Sequence, residues 1–244
     1  MKWSADMIDK CALNVVDAVR DVPDGAVLLI GGFGEAGNPT ELIHALIDQG
    51  ARELTVVNNN AGNGEIGLAR LLQMRRVRKL ICSYPRGSHS HVFDALYKAG
   101  AIELELVPQG TLAERIRAGG AGIPAFYTPT GVGTALARDK EVRDFEGRSH
   151  LLETAIRGDF ALIKAEAADR WGNLVYRKAS RNFGPIMATA ARRTIAQVRR
   201  VVALGELDPE VIVTPSIFVD CVVEVANPIR ESEHLPPLAA KVPA

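Results

Sequence analysis

Short apolar runs alternate with helix-patterned stretches through the first half of the chain. The runs at residues 26–30, 54–57 and 79–83 are each followed by a stretch whose apolar residues recur at helical spacing. A fourth run, at 102–107, alternates apolar and polar residues. Strands joined through helices by short connections lie parallel, and the helices cover the sheet. The alternation therefore predicts an α/β fold with an open, mostly parallel sheet covered by helices.

The second half of the chain departs from this rhythm after Pro108. Thr111 and Glu114 have the spacing of a capping box, which predicts that a short helix begins at Thr111. The stretch 119–133 is rich in glycine and proline, which predicts an irregular insertion of the kind that forms lids or binding loops. Short β-patterned segments follow from 141 to 225. We therefore expect a glycine-rich insertion and an added β-rich region beside the parallel sheet.

The chain shows no internal repeat and no linker, which favours a single domain at 1–226. Residues 227–244 contain four prolines and are expected to form a poorly ordered tail. At the other end, the spacing of apolar residues predicts a helix over 5–20. That segment lacks the apolar core of a signal peptide, and no run is long enough to span a membrane. These features predict a cytoplasmic protein with no membrane partner.

Composition argues against several classes of ligand. Of the 244 residues, 47% are hydrophobic, and 29 basic residues balance 29 acidic ones. A net charge of zero gives no electrostatic basis for binding nucleic acid or an anionic membrane. The three cysteines lie far apart, and the five histidines lack the spacing of a ligand set. Neither a disulfide framework nor a metal site is expected.

Residues 32–37 have the G-x-G-x-x-G pattern of a dinucleotide-binding turn, in which glycines let the backbone approach a phosphate. Two features argue against a nicotinamide or flavin cofactor. Asn38 and Pro39 have the pattern of the N-cap and first residue of the next helix, with Glu41 as its third residue. The glycines would then form a loop before the helix. The next strand ends in asparagines at 58–60, where a dinucleotide site has an acidic residue for the ribose.

Polar segments follow three of the expected strands, at 31–39, 58–63 and 108–110. Ligands of open α/β sheets bind beyond the carboxyl ends of the strands, so we expect these segments to converge on one crevice. They offer backbone N–H groups and side-chain amides, which suit a carbonyl, a thioester oxygen or a carboxylate. No credible nucleophile accompanies them, because Cys82 has the setting of a packed residue and Glu35 is the nearest carboxylate. The imbalance predicts half of an active site.

Several long blocks, in order, resemble the A-subunit signature of the family I coenzyme A transferases. They cover nearly all of the chain up to about residue 225 and lie at 24–39, 59–62, 107–117, 120–123, 129–134 and 179–183. Within the family, the segments 59–68 and 181–187 are most similar to the 3-oxoadipate succinyl-CoA transferases. The resemblance implies the α/β fold of the CoA transferases and of NagB-like proteins.

The resemblance also implies a reaction. Family members move CoA from succinyl-CoA to a 3-oxoacid through a glutamyl-CoA thioester, and the glutamate lies in a Glu-Asn-Gly motif of the B subunit. This tripeptide does not occur here, which agrees with the missing nucleophile. The resemblance therefore implies a B-subunit partner in an α2β2 heterotetramer. The CoA thioester would be a substrate, and no permanently bound cofactor is expected.

Site residues are carried over from the same motifs. Asn59 and Asn60 are expected near the thioester oxygen, and Gln109 is expected to contact the acid substrate. The CoA-binding segment is expected to consist of Gly31, Gly32, Phe33, Gly34, Glu35, Ala36 and Gly37. We refer to this segment, 31–37, as the glycine loop.

Three alternatives stay open at the level of sequence. The first is a succinyl-CoA:acetoacetate transferase, which uses the same chemistry on a smaller acid. A basic residue such as Arg86 or Arg115 near the crevice would instead favour 3-oxoadipate, which carries a second carboxylate. The other two are a nucleotide-binding oxidoreductase and a non-enzymatic homologue that binds acyl-CoA.

Overall fold

The computed structural model describes residues 8–235 and centres on one eight-stranded sheet. In chain order the strands of the protein are β1 (Val27–Ile30), β2 (Leu54–Val57), β3 (Val77–Cys82), β4 (Glu103–Leu106), β5 (Ala125–Thr128), β6 (Val142–Phe145), β7 (Arg148–Thr154), β8 (Gly158–Asp169), β9 (Leu174–Val175), β10 (Ala191–Val202) and β11 (Cys221–Glu224). The large sheet has the order β11-β10-β8-β1-β2-β3-β4, and β9 pairs with β8. All of its pairings are parallel except that of β8 with β9. The predicted mostly parallel sheet is confirmed.

Helices cover both faces of this sheet. They are α1 (Val15–Val19), α2 (Thr40–Gln49), α3 (Gly67–Gln73), α4 (His91–Lys98), α5 (Gln109–Ala121) and α6 (Gly184–Ala190). Leu28 and Ile30 of β1 pack with α1 to α4, whereas Leu29 between them packs with α5 and α6. Because side chains alternate across a strand, a sheet covered on both faces needs a continuous apolar run. This is why the strands appear in the sequence as unbroken apolar segments.

The N-terminal helix is shorter than expected. The apolar spacing predicts a helix over 5–20, but α1 covers only Val15–Val19, and residues 1–7 lie outside the described part of the chain. Asn14 caps the helix, since its side chain accepts hydrogen bonds from the N–H groups of the second and third helical residues. Before it, Cys11 forms a parallel bridge with Val222 at the edge of the sheet. Pairing with β11 replaces helix there.

The predicted helix near Thr111 is present, but it begins two residues earlier and is longer than predicted, and the stretch 119–133 is only partly irregular. Helix α5 begins at Gln109 and continues through Gly119 and Gly120. An added Cβ at Gly119 would overlap the carbonyl of Ile156, and one at Gly120 would overlap Thr189. These glycines therefore allow close packing of a helix, and they do not mark a flexible loop. Beyond α5, strands β5, β7 and β6 form a separate antiparallel sheet, so that seven of the fifteen residues 119–133 lie in helix or strand and the others in turns and short connections.

The segment after residue 226 is packed against the body of the protein as far as it is described. The backbone N–H of Ile229 donates to Glu41 at 2.5 Å, and Glu231 is only 2% exposed within a 3-10 turn, Glu231–His234. The expectation of a poorly ordered tail is therefore wrong for 227–235, and 236–244 lie outside the described residues. The division into one domain at 1–226 and a tail stays a prediction.

Short 3-10 turns complete the described chain, at Ala135–Ala137, Lys178–Arg181, Pro209–Val211, Ser216–Phe218 and Glu231–His234. Between residues 8 and 235, none of the helices combines the length and the hydrophobicity needed to cross a membrane.

Candidate active site

A cavity of about 490 Å³ lies beyond the carboxyl ends of β1 to β4. The three polar segments singled out in the sequence meet there, and they contribute Phe33 and Gly34, Asn59 and Asn60, and Gln109. Gly62 and Asn63 also line it, from the predicted segment 58–63. The lining residues that sequence reasoning missed are Ser83, Tyr84, Pro85 and Gly87, which follow β3, whose polar end carried no motif. We call this space the donor-lined cavity.

The glycine loop follows β1, at the point in the sheet where the connecting helices change from one face to the other. The helix after β1, α2, packs on one face, whereas α6, between β8 and β10, packs on the other. The crevice between β1 and β8 is thus the switch point at which ligands of open α/β sheets bind. Gly31 is held there by its N–H, which donates to the carbonyl of Leu162 in β8 at 2.9 Å.

The glycine loop is a tight turn with several unused donors. Phe33 and Ala36 exchange two backbone hydrogen bonds, of 2.9 and 3.2 Å, which close the turn. Among the described residues, no acceptor is found for the N–H groups of Gly32, Gly34, Glu35 and Gly37. Gly34 and Glu35 are partly exposed, whereas Gly32 and Gly37 are buried, so the unpaired N–H groups of Gly34 and Glu35 are the accessible ones and are suited to bind an oxygen of a ligand.

Two glycines of this loop are required by geometry. Gly32 has φ +131°, and an added Cβ would overlap the side-chain oxygen of Asn38. Gly37 has φ +83°, and its Cβ would lie 2.7 Å from the carbonyl oxygen of Ser180. A side chain at either position would therefore be strained by its backbone conformation and by its neighbours.

Asn38 is not the cap of α2, which corrects the prediction. Pro39 takes the N-cap position, with φ −85° and ψ 64°, and offers no side-chain cap, whereas the N–H of Leu42 in the first turn donates to the side-chain oxygen of Gln197 at 3.4 Å. The amide nitrogen of Asn38 instead donates to the carbonyl of Gly34 at 3.0 Å and to Glu231 at 3.1 Å. Glu41, predicted as the capping-box partner, accepts from Gln197 and Ile229. The start of α2 is buried against other elements, so that distant side chains replace the local cap.

Asn58 joins the asparagine run to the end of β1. The side chain is 1% exposed, and its nitrogen donates to the carbonyl of Ile30 at 2.7 Å. Its oxygen accepts from the backbone N–H of Asn60 at 2.8 Å. Asn58 therefore has a structural role, and it holds the two neighbouring loops in register.

Asn59 presents one free donor to the cavity. The side-chain oxygen accepts from the hydroxyl of Ser83 at 2.7 Å. The side-chain nitrogen has no acceptor among the described residues, and it is not among the fully enclosed unpaired atoms, so it faces the cavity. Ser83 thereby fixes the orientation of the amide. In Asn60, the side-chain oxygen is used by the N–H of Gly62 at 2.8 Å, which again leaves the NH2 group available.

Gln109 is the first residue of α5, and its side chain is exposed. The N–H groups of the first turn of a helix have no partner within the helix and carry partial positive charge. An anionic oxygen placed here would be stabilised by the side-chain amide and by the end of the helix. This suits the carboxylate of an acid substrate.

The residues that line the donor-lined cavity include no carboxylate and no thiol. Glu35 lies on the glycine loop but does not line the cavity. Cys82 is fully buried, and burial raises the pKa of its thiol to about 12, which keeps it protonated at neutral pH. Among residues 8–235, the lining of the cavity thus offers neutral donors and no carboxylate or thiol nucleophile.

The two arginines considered as cavity cations differ in their surroundings. Arg115 is 10% exposed and donates to Glu105 at 2.8 Å and to the carbonyl of Thr154 at 2.7 Å. It belongs to this ion-pair network and does not line the cavity. Arg86 is 60% exposed, pairs with Asp94 at 2.8 Å, and lies between two lining residues. Arg86 is therefore the arginine of the two that lies at the rim.

A doubly covered parallel sheet with a donor-rich loop at its switch point defines an α/β protein of the class whose ligands bind beyond the carboxyl ends of the strands. The sequence model of the coenzyme A transferase family matches residues 12–225. The chain belongs to this family, and the resemblance seen in the sequence is confirmed.

Curated relatives cover nearly the whole chain. The chain is 60% identical over 226 residues to the A subunit of the 3-oxoadipate CoA-transferase of Pseudomonas putida, covering 93% of this chain and 98% of the relative. It is 52% identical over 213 residues to the A subunit of the succinyl-CoA:3-ketoacid coenzyme A transferase of Xanthomonas campestris pv. campestris (strain B100), covering 87% of each.

Solved structures agree with the fold. An acyl-CoA transferase from E. coli O157:H7, in a thioester complex with CoA, superposes with a TM-score of 0.81 at 23% identity. The match covers 91% of this chain and 51% of that one, so the chain spans about half of its length. The glutaconate coenzyme A-transferase of Acidaminococcus fermentans gives a TM-score of 0.78 at 21% identity, over 88% of this chain and 75% of that one. The predicted fold of the CoA transferases is confirmed.

Proposed function

We propose that this chain is the A subunit of an enzyme that moves CoA from succinyl-CoA to a 3-oxoacid, with 3-oxoadipate as the acceptor. Two relatives at 60% and 61% identity are named as A subunits of 3-oxoadipate CoA-transferases. The observation that carries the proposal is the donor-lined cavity, which combines free N–H groups with the absence of a carboxylate among its described lining residues. Such a site suits an enzyme whose covalent step uses a residue of another chain.

The chemistry begins with a carboxylate of the partner B subunit. This carboxylate attacks the thioester carbon of succinyl-CoA, and the carbonyl oxygen takes up the negative charge of a tetrahedral intermediate. A donor placed at that oxygen lowers the barrier by about 2.7–4 kcal/mol. The intermediate collapses to a mixed anhydride of succinate and the glutamate as the C–S bond breaks and CoA thiolate leaves. The thiolate then attacks the glutamyl carbonyl carbon and expels succinate, so that CoA is held as a thioester on the partner's glutamate. The acid acceptor takes it up through the same kind of intermediate in reverse.

Within this scheme, each segment of the cavity has its own role. The free side-chain nitrogens of Asn59 and Asn60 donate to the thioester oxygen. The glycine loop lets CoA come close to the backbone, and its free N–H groups bind ligand oxygens. Gln109, with the first turn of α5, binds the carboxylate of the acid. Neutral donors suit these roles because they bind the uncharged thioester, and because their hydrogen bonds to its oxygen become stronger as that oxygen gains negative charge.

The partner follows from the division of the site. A nucleophile supplied in trans requires at least one B subunit for every copy of this chain, and we propose an α2β2 heterotetramer. CoA thioesters enter as substrates, and no permanently bound cofactor is needed. The cysteines Cys11, Cys82 and Cys221 are all free thiols, which fits a reducing compartment, and we place the enzyme in the cytoplasm.

Acetoacetate is the second candidate acceptor. Relatives at 51–52% identity are named as A subunits of succinyl-CoA:3-ketoacid coenzyme A transferases. The two acceptors differ by the distal carboxylate of 3-oxoadipate. Arg86 at the rim of the cavity is positioned to favour that second charge. Arg86→Ala should lower the preference for 3-oxoadipate over acetoacetate, and unchanged discrimination would remove Arg86 from this role.

Co-expression with a family B subunit tests the proposal. The purified complex should transfer CoA from succinyl-CoA with a higher kcat/KM for 3-oxoadipate than for acetoacetate, and this chain without its partner should be inactive. Appreciable transferase activity of the isolated chain would refute the division of labour. A preference for acetoacetate would refute 3-oxoadipate as the acceptor, but it would agree with the proposed CoA transfer from succinyl-CoA.

A further inference from the structure

Glu231 is a buried carboxylate that the proposed chemistry does not use. It belongs to the C-terminal segment, almost 200 residues after the glycine loop in sequence, and is 2% exposed. Burial raises the pKa of this carboxyl group, against the opposing effect of hydrogen bonds from Thr40 and Asn38. A buried carboxylate is costly, so its partners are informative about its role.

The two oxygens of Glu231 are used separately. One accepts from the hydroxyl of Thr40 at 2.8 Å, and the other accepts from the side-chain nitrogen of Asn38 at 3.1 Å. Glu35 and Lys164 are the further charged groups that act on the carboxylate. Neither forms an ion pair with it among the described residues. The carboxylate is therefore compensated by two neutral donors.

Asn38 links this carboxylate to the glycine loop. The same nitrogen that donates to Glu231 also donates to the carbonyl of Gly34, at 3.0 Å. The oxygen of the Asn38 side chain occupies the space where a Cβ of Gly32 would lie. Asn38 thus contacts both arms of the loop, and Glu231 determines which way its amide points.

Glu231 also packs against the start of α3. Gly67, the first residue of α3, comes shortly after the cavity-lining segment 58–63. A Cβ added at Gly67 would overlap a carboxylate oxygen of Glu231. The N–H of Gly67 donates to His44 of α2 at 3.1 Å. The C-terminal segment therefore packs where the starts of α2 and α3 meet, directly behind two loops of the cavity.

We propose that Glu231 is a positioning residue, which through Asn38 holds the glycine loop in the conformation that binds the CoA thioester. The proposal rests on the proposed function for the identity of the ligand, whereas the conformational link itself does not depend on it. Active-site geometry is sensitive to such support, since a misplacement of about 1 Å can cost about 100-fold in rate.

Three substitutions separate positioning from general stability. Glu231→Leu removes both acceptors at similar volume. Glu231→Gln is the rescue variant, because its oxygen can accept from Asn38 while its NH2 group donates to the Thr40 hydroxyl, which can also accept. Thr40→Val is the matched control, since it removes the other hydrogen bond of Glu231 in α2 without touching Asn38.

The first measurement is hydrogen–deuterium exchange of the peptide covering 31–37, in the complete complex. We expect faster exchange in Glu231→Leu, near wild-type exchange in Glu231→Gln, and near wild-type exchange in Thr40→Val despite a lower Tm. Asn38→Ala should reproduce the effect, and adding Glu231→Leu to it should produce no further change. Equal effects of Thr40→Val and Glu231→Leu on the loop would overturn the proposal, as would additive effects of Asn38→Ala and Glu231→Leu.

The second measurement is transferase kinetics on the same variants. Glu231→Leu should lower kcat/KM for succinyl-CoA by about 10- to 100-fold, with recovery in Glu231→Gln. Wild-type kinetics in a folded Glu231→Leu complex would refute positioning. If the wild-type complex itself transfers no CoA, the proposed function fails, and loop exchange still decides the role of Glu231.

Discussion

The side chain of Asn59 divides into an anchored half and a free half, which makes its contribution measurable. Its oxygen is held by the Ser83 hydroxyl at 2.7 Å, and its nitrogen faces the cavity without a partner among the described residues. Asn59→Ala removes both halves, whereas Ser83→Ala removes only the anchor. Asn63→Ala is the matched control, because Asn63 lines the same cavity from the same loop.

The two halves predict effects of different size. Loss of the free donor at the developing oxyanion should lower kcat by about 100- to 1000-fold, or about 2.7–4 kcal/mol. Loss of the anchoring hydrogen bond should cost about 1 kcal/mol of unfolding free energy. In a chain of this size such a loss lowers Tm by about 2–4 °C. Ser83→Ala should therefore show the change in Tm with a much smaller loss of kcat.

The assay is steady-state CoA transfer from succinyl-CoA by the reconstituted complex, with Tm measured on the same samples. Asn59→Ala should lower kcat strongly and change KM for succinyl-CoA little, because the donor acts mainly on the charged intermediate. Asn63→Ala should stay within about twofold of wild type. A kcat of Asn59→Ala close to that of Asn63→Ala would show that the amide does not stabilise the oxyanion.

Further predictions concern glycines and pH. Gly37→Ala should raise KM for succinyl-CoA and lower Tm more than Gly34→Ala, because both have positive φ but only Gly37 has a backbone oxygen against its Cβ position; equal effects would contradict this. In α5, Gly110→Ala should raise the unfolding free energy by about 0.4–1 kcal/mol, since its Cβ meets open space, whereas Gly119→Ala should lower it. For Glu231, a raised pKa means that its contribution to stability falls as pH rises through the folded-state pKa. Urea unfolding of Glu231→Gln and wild type across acidic and neutral pH should show the variant gaining relative stability as pH rises, and a constant difference would contradict the raised pKa.

The strands of the parallel sheet could be predicted from the sequence, whereas the details of helix α5 could not. The apolar runs of β1 to β3 indicate strands correctly because a sheet buried on both faces tolerates few polar residues, whereas β4 at the edge of the sheet alternates apolar and polar residues. The predictions of a helix cap at Thr111 and of a loop at Gly119 are wrong. The cap is wrong because α5 begins two residues before Thr111, and the loop is wrong because glycines also serve close packing inside a helix when another backbone lies against them.

The sequence predicts which segments line the cavity, but it does not predict which residues hold their side chains in place. Asn59, Gly34 and Gln109 follow strand ends in the sequence, and parallel strands bring their carboxyl ends to one edge. Ser83 follows β3 in the same way, but a lone serine carries no signal of its own. Its role appears only when its hydroxyl is seen on the amide of Asn59.

The sequence by itself determined the parallel sheet, the family and the neutral character of the site, because these depend on residue type and on order along the chain. Only the tertiary structure decided how the glycine loop is held. Asn38 follows local rules for a helix cap, yet its amide turns to Gly34 and to Glu231 from the far end of the chain. A buried carboxylate outweighs a local capping preference because an amide placed against it is strongly favoured away from water, and no pattern of neighbouring residues records that distant contact.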